Sequence, residues 1–201
     1  MQLSFVDAMR EPTMTELYTD HSGHRELVLC DTQPCCIAAR LAAIGVRYRR
    51  LELPAVVFDA EAERDEVIGS YLDPLNDLLQ DMPLATLDVT TILPSHPRIA
   101  SLHRRFMTEH SHDGCEAQAL VWGHGVLFMR AVAQVWALRC EAGDFVRLPP
   151  QMAHWFEFDV ETGFRTVRVY EERAKHRRIR LGRDMAEHHT TPRESTAQRL
   201  S

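Results

Sequence analysis

In the stretch EHSHDGCE, the residues His110, His112 and Glu116 have the types and spacing that hold a metal ion. His110 and His112 stand two apart, so on an extended strand both imidazoles leave the same face and can share one ion. Asp113 and Gly114 form a turn or bulge signal, and Glu116 then returns to that face by parity. A fourth candidate, His154, opens the aromatic run HWFEF further downstream, and a barrel can set such separated strands side by side. Neutral imidazoles and a carboxylate suit a divalent first-row metal, and an octahedral ion held by four of them keeps about two positions open. Tetrahedral zinc is the poorer match, because a fourth protein ligand would fill the position that a catalytic zinc keeps open. The other histidines, His21, His24, His96, His103, His124 and His176, stand alone and read as surface or loop residues, while His188 and His189 sit in a polar tail.

The elements that must position these residues fall into two textures. Up to about residue 105 helical patterns predominate. CCIAARLAAIGV carries apolar groups on one helical face and ends at Gly45, a C-cap signal, and RYRRLELP then alternates like a short strand. AEAERDEVIGSYLDPLNDLLQDM places Val67, Ile68, Tyr71, Leu72, Leu75, Leu78 and Leu79 at spacings of three and four, with Pro74 expected to kink or break the helix. Two prolines precede a further helix expected from about Arg98 to Met107. From His110 the period becomes two: AQALVW, GVLFMRA, AQVWALRC, DFVRLPP, HWFEFDV and FRTVRVY are short segments separated by turn signals, the pattern of an all-β barrel or sandwich. The helical part is expected to pack on that barrel within one domain over residues 1–180, with the barrel core at 106–171 and a polar, flexible tail at 181–201.

Composition narrows the partners. There are 23 Lys and Arg against 29 Asp and Glu, a mild negative balance that argues against nucleic acid, and the basic run RAKHRRIRLGR at 173–183 reads as a solvated C-terminal segment. No apolar run approaches the roughly 18 residues of a membrane span, and the start MQLSFVDAMREP lacks the build of a signal peptide, so a soluble cytoplasmic protein is expected. The five cysteines form no C-x-x-C pair and read as free thiols. Cys35 and Cys36 are expected as buried small hydrophobes, and Cys115 as a buried or bulge residue. Oligomeric state leaves no mark in the sequence.

H-x-H, then Glu116 and Gly123, followed by GDFVRLP and His154, resembles the two motifs of the cupin superfamily. Gln151 stands at the usual glycine of the second motif and Phe158 at the usual asparagine. More narrowly, EHSHDGCE, AGDFVRLPPQMAHWFEFD and RTVRVY, with LAAIGVRYRRLELP, VIGSYLDPLNDLL and LDVTTILPSHPRIASLHRRFMTEHSH before them, resemble the acireductone dioxygenase family over roughly residues 37 to 171. The resemblance implies a cupin jelly-roll barrel with added N-terminal helices. It also implies one Fe(II) or Ni(II) per chain on His110, His112, Glu116 and His154, and cleavage of a chelated enediolate with O2. In that family iron yields a keto acid and formate, whereas nickel shifts the cleavage and releases carbon monoxide.

The resemblance further implies that Phe156 lines the substrate pocket and that Arg168 matches an arginine of the last barrel strand. From the residues alone, Phe156 is equally a core aromatic. Arg168 can meet a substrate oxygen, a carboxylate such as Glu109, or a structural ion-pair partner. Gln118, two beyond Glu116, points inward by parity and offers a neutral amide where the family carries arginine. The family's acid before the glutamate and its phenylalanine three after it are replaced by Cys115 and Ala119, and its tryptophan after the last strand is missing near His176. These replacements motivate two further readings: the same scaffold turned to another small substrate such as a thiol, and a non-catalytic ligand-binding cupin.

Overall fold

Residues 14–20, 27–56, 58, 62–80, 82, 85–131, 133–171 and 178–181 are described in the computed structural model. Among them eleven strands and three helices follow in the order β1 (Glu16–Asp20), β2 (Leu27–Asp31), α1 (Pro34–Ala42), β3 (Arg47–Arg50), α2 (Arg64–Leu79), β4 (Ala85–Ile92), α3 (Ile99–Met107), β5 (His110–His112), β6 (Glu116–Ala131), β7 (Gln134–Glu141), β8 (Asp144–Leu148), β9 (Ala153–Phe158), β10 (Phe164–Glu171) and β11 (Arg178–Arg180). His21, His24, His176, the tail beyond residue 181 and most of the basic run lie outside the described residues. Residues 178–180 of that run, expected as a solvated segment, instead pair with β5 as a strand.

Every strand pair is antiparallel, and the long β6 belongs to two sheets. Its first half, from Glu116, lies between β8 and β10, which extend to β3 and β4. Its second half, from His124, lies between β7 and β9, which extend to β1 and β2 on one side and to β5 and β11 on the other. The hydrogen-bonded path does not return on itself, so the expected jelly-roll barrel is not closed: two sheets face each other and share one strand. AQALVW and GVLFMRA, read as two strands because glycines separate them, are these two halves.

Glycine makes the crossing possible. Gly123 has φ +81°, a left-handed conformation that other residues avoid, and a Cβ there would press on the Gly163 carbonyl oxygen and Phe164. At Gly125 a Cβ would meet the Phe156 ring and stand 2.7 Å from the Glu157 carbonyl oxygen.

Because successive side chains of a strand alternate in direction, each sheet has an inner and an outer face. Leu120, Val146 and Phe164 from one sheet meet Leu127, Leu138, Phe156 and Phe158 from the other in the central core. Ile37 and Leu41 of α1 enter that core, placed on one side by their i,i+4 spacing. On the outer face of the first sheet, Ala117, Phe145 and Val167 pack against Val67, Tyr71, Leu75 and Leu78 of α2. The α2 helix runs through Pro74 without interruption, its inward face fixed by those contacts. Cys35 and Cys36 are exposed rather than buried, since the inward face of α1 is taken by Ile37 and Leu41. At the end of the core away from the histidines, Asp144 is 1% exposed and accepts hydrogen bonds from the Thr15 and Tyr48 hydroxyls, Arg50 and the Glu141 backbone N–H.

Gly125→Ala is expected to lower unfolding stability by about 1–3 kcal/mol, the usual cost of overpacking a core. The shift in urea midpoint measures it, and an unchanged midpoint would mean that β6 does not pass Phe156 as closely as described.

Candidate metal centre

Strand pairing brings the four sequence candidates together from three strands. His110 of β5 lies directly opposite His154 of β9, and Glu116 opens β6. The ring centroids of His110 and His154 are 4.3 Å apart, and those of His112 lie 5.2 and 5.4 Å from them. One ring nitrogen from each of His110, His112 and His154 lies within 4.8 Å of the others, close enough to bind one cation. Glu116 turns its Oε2 to this cluster, 3.1 Å from His112 Nε2 and 3.6 Å from His154 Nε2. All four residues are buried.

Backbone carbonyls fix two of the rings. His110 Nδ1 stands 2.8 Å from the Thr108 carbonyl oxygen and His154 Nδ1 stands 2.9 Å from that of Met152. A carbonyl oxygen only accepts, so Nδ1 carries a proton in both rings, which leaves Nε2 as the nitrogen that can bind a metal. On Glu116, burial alone would raise the carboxyl pKa. The nearby Arg168 guanidinium, followed by His154 and His112, outweighs burial and lowers it to about 2. Arg168 donates from both Nε, at 3.1 Å, and a terminal nitrogen to Glu116 Oε1.

Beside the cluster lies a small chamber of about 40 Å³ lined by Phe106, Gln118, Leu148, Phe156, Thr166 and Arg168. His110, Phe106 and Arg168 also line a cleft of about 440 Å³ between β4 and α3, where Thr90, Thr91, His96 and Arg105 stand. Gln118 points inward as parity predicts, directly opposite Arg168 in the β6–β10 pairing. Phe156 lines the chamber and Phe158 packs in the same core, while Trp155 turns to the outer face, stacked on Phe128 at 5.0 Å. Cys115 is half-buried and accepts from Arg147 at 3.7 Å, away from the histidines.

One expected pairing is corrected. Glu109 precedes His110 and leaves the opposite face of the chain, where its buried carboxylate accepts from Arg130 Nε at 2.7 Å. Arg130 in turn lies over the Trp155 ring on that outer face. Arg168 is therefore paired with Glu116 and not with Glu109, and Glu109 is absent from the chamber wall. Gln151, at the motif position usually held by glycine, has φ +63° and donates its backbone N–H to the His112 carbonyl oxygen at 2.7 Å. Glycine is the residue that takes this left-handed geometry without steric cost.

Sequence reading did not find Phe106, Thr166 or the cleft residues. Phe106 belongs to α3 and packs edge-on against Phe158 and Phe164 at 5.7 and 5.5 Å, contacts that only the tertiary arrangement creates. The inward parity of Thr166 with Arg168 on β10 was the one signal available.

The profile of the ARD/ARD' family matches residues 17–178. A protein named acireductone dioxygenase from Aquifex aeolicus is 31% identical over 154 residues, covering 77% of this chain and 82% of its own. Its namesake from Frankia alni is 35% identical over 163 residues, covering 78% and 79%. In structure the chain resembles acireductone dioxygenase from Bacillus anthracis, solved with a cadmium ion in its active center. The TM-score is 0.70 at 18% identity, over 82% of this chain and 96% of that one, a likeness of fold. A family match across most of the chain, together with relatives above 30% identity over most of both lengths, makes this protein a member of the acireductone dioxygenase family.

Proposed function

We propose that His110, His112, His154 and Glu116 hold one Fe(II) or Ni(II) ion, and that the protein is a dioxygenase cleaving an acireductone-type enediolate with O2. The observation that carries this reading is the convergence of three imidazole nitrogens within 4.8 Å, with Glu116 Oε2 facing two of them. The donors fit such an ion: imidazole and carboxylate suit iron and nickel, and the thiolate that would favour softer metals is not among them. The names of the relatives support the same substrate class.

A divalent cation held there would supply Lewis acidity that lowers the pKa of an enediol bound to it. The chain's own residues do the rest. The Thr108 and Met152 carbonyls keep two imidazoles in the tautomer that offers Nε2 inward. Phe106 and Phe156 give the chamber apolar walls, and a lower local dielectric strengthens polar interactions inside it. The Gln118 amide lies where it can hydrogen-bond a substrate oxygen without adding charge. The cleft between β4 and α3 gives the rest of the substrate room outside the chamber.

His154→Ala is expected to weaken Ni(II) or Fe(II) binding at least about 100-fold, a larger loss than removal of a residue that merely supports a ligand. Oxygen uptake with an acireductone should disappear with it. Retained metal and retained uptake, measured by elemental analysis and an oxygen electrode, would contradict the assignment. Gln118→Leu is expected to raise KM for the acireductone about 2- to 10-fold through loss of one neutral hydrogen bond, with little change in kcat. An unchanged KM in steady-state oxygen uptake would remove Gln118 from the substrate contacts.

A further inference from the structure

We infer that Arg168 is a positioning residue: it pins the outer oxygen of Glu116, so the carboxylate meets the cation through its inner oxygen alone and two coordination positions stay open. This rests on the reading that the three histidines and Glu116 hold the cation.

The two carboxylate oxygens of Glu116 have different surroundings. Oε1 receives two donors from the Arg168 guanidinium, whereas Oε2 faces His112 and His154. A carboxylate free to rotate could present both oxygens to a cation. Here rotation would strip Oε1 of two charge-assisted hydrogen bonds, a cost that counts because Glu116 is buried. The number of positions makes this matter. Three imidazoles and one oxygen occupy four of about six octahedral positions, and a second Glu116 oxygen would leave too few for a chelating substrate.

The surroundings of Arg168 direct it inward. Its β10 position is fixed between β4 and β6, with Asp88 on one side and Gln118 on the other. Asp88 is its cross-strand neighbour on β4. That group already faces Arg64 Nε at 3.4 Å and accepts from the Tyr170 hydroxyl at 3.5 Å. Gln118 is neutral, so its own side chain brings no second cation to compete for Glu116.

The opposing effect is electrostatic. A guanidinium beside a metal ligand also repels the metal, so removal of its charge alone would tighten binding. Arg168→Lys and Arg168→Met separate the two effects, because lysine keeps the charge but lacks the planar pair of donors. The protein is titrated with Ni(II) alone, with His154→Ala as the control, and thermal unfolding checks that each variant is folded. Infrared difference spectra with and without Ni(II) read the separation of the carboxylate stretches, wide for one bound oxygen and narrow for two.

Both Arg168 variants are expected to bind Ni(II) about 10- to 100-fold more weakly than the wild type, the usual loss when a residue orienting a ligand is removed. Their carboxylate stretches should move toward the two-oxygen pattern. If Arg168→Met does not fold, Arg168→Lys alone decides, since a charge effect predicts no change for it. Wild-type affinity in Arg168→Lys, tighter binding in Arg168→Met, or an unchanged one-oxygen spectrum in a folded variant would overturn the inference while leaving the four donors in place. Equal Ni(II) binding by the wild type and His154→Ala would instead overturn the assignment of the donors, and this inference with it.

Discussion

A strand as long as β6 can serve two sheets only if its backbone turns where no side chain stands in the way. Gly123 and Gly125 supply that turn, with Gly163 and the Phe156 ring pressed against the places their side chains would occupy. Glu116 and Gln118 therefore belong to one sheet, while the later half of the same strand pairs with β9, which carries His154. The core between the sheets and the chamber at its end both follow from this single crossing.

Alternation does the remaining placement. On β9 the residues His154, Phe156 and Phe158 look inward and Trp155 looks outward, and the reversal between Glu109 and His110 separates a structural ion pair from a metal-binding ring. The core is apolar nearly throughout, and its buried carboxylates Glu109, Glu116 and Asp144 are each paired with an arginine. Asp144 gathers its donors at one end and Glu116 takes Arg168 at the other. A buried carboxylate without such partners would lose its charge or destabilise the fold.

Much of this was legible in the sequence because it depends on local spacing. The H-x-H pair, the return of Glu116 to the same face, the inward direction of Gln118 and the opposed directions of Trp155 and Phe156 follow from a period of two. The three helices fall close to the expected ranges, since their apolar spacing is their own. Strands β1, β2 and β4 were hidden among helical patterns: β2 has no buried residue and shows no clean alternation, so its pairing with β1 is a tertiary outcome. The partner of Arg168, the exposure of Cys35 and Cys36, and the place of Phe106 each depend on which element packs against which. No local period records that.

The central claim is that four side chains from three strands share one cation. X-ray diffraction from Ni(II)-soaked crystals, recorded at the nickel absorption edge, tests it most directly. The account predicts one anomalous peak per chain, bonded to Nε2 of His110, His112 and His154 and to Oε2 of Glu116. A peak elsewhere, or one in the cluster to which Glu116 does not bond, would contradict it.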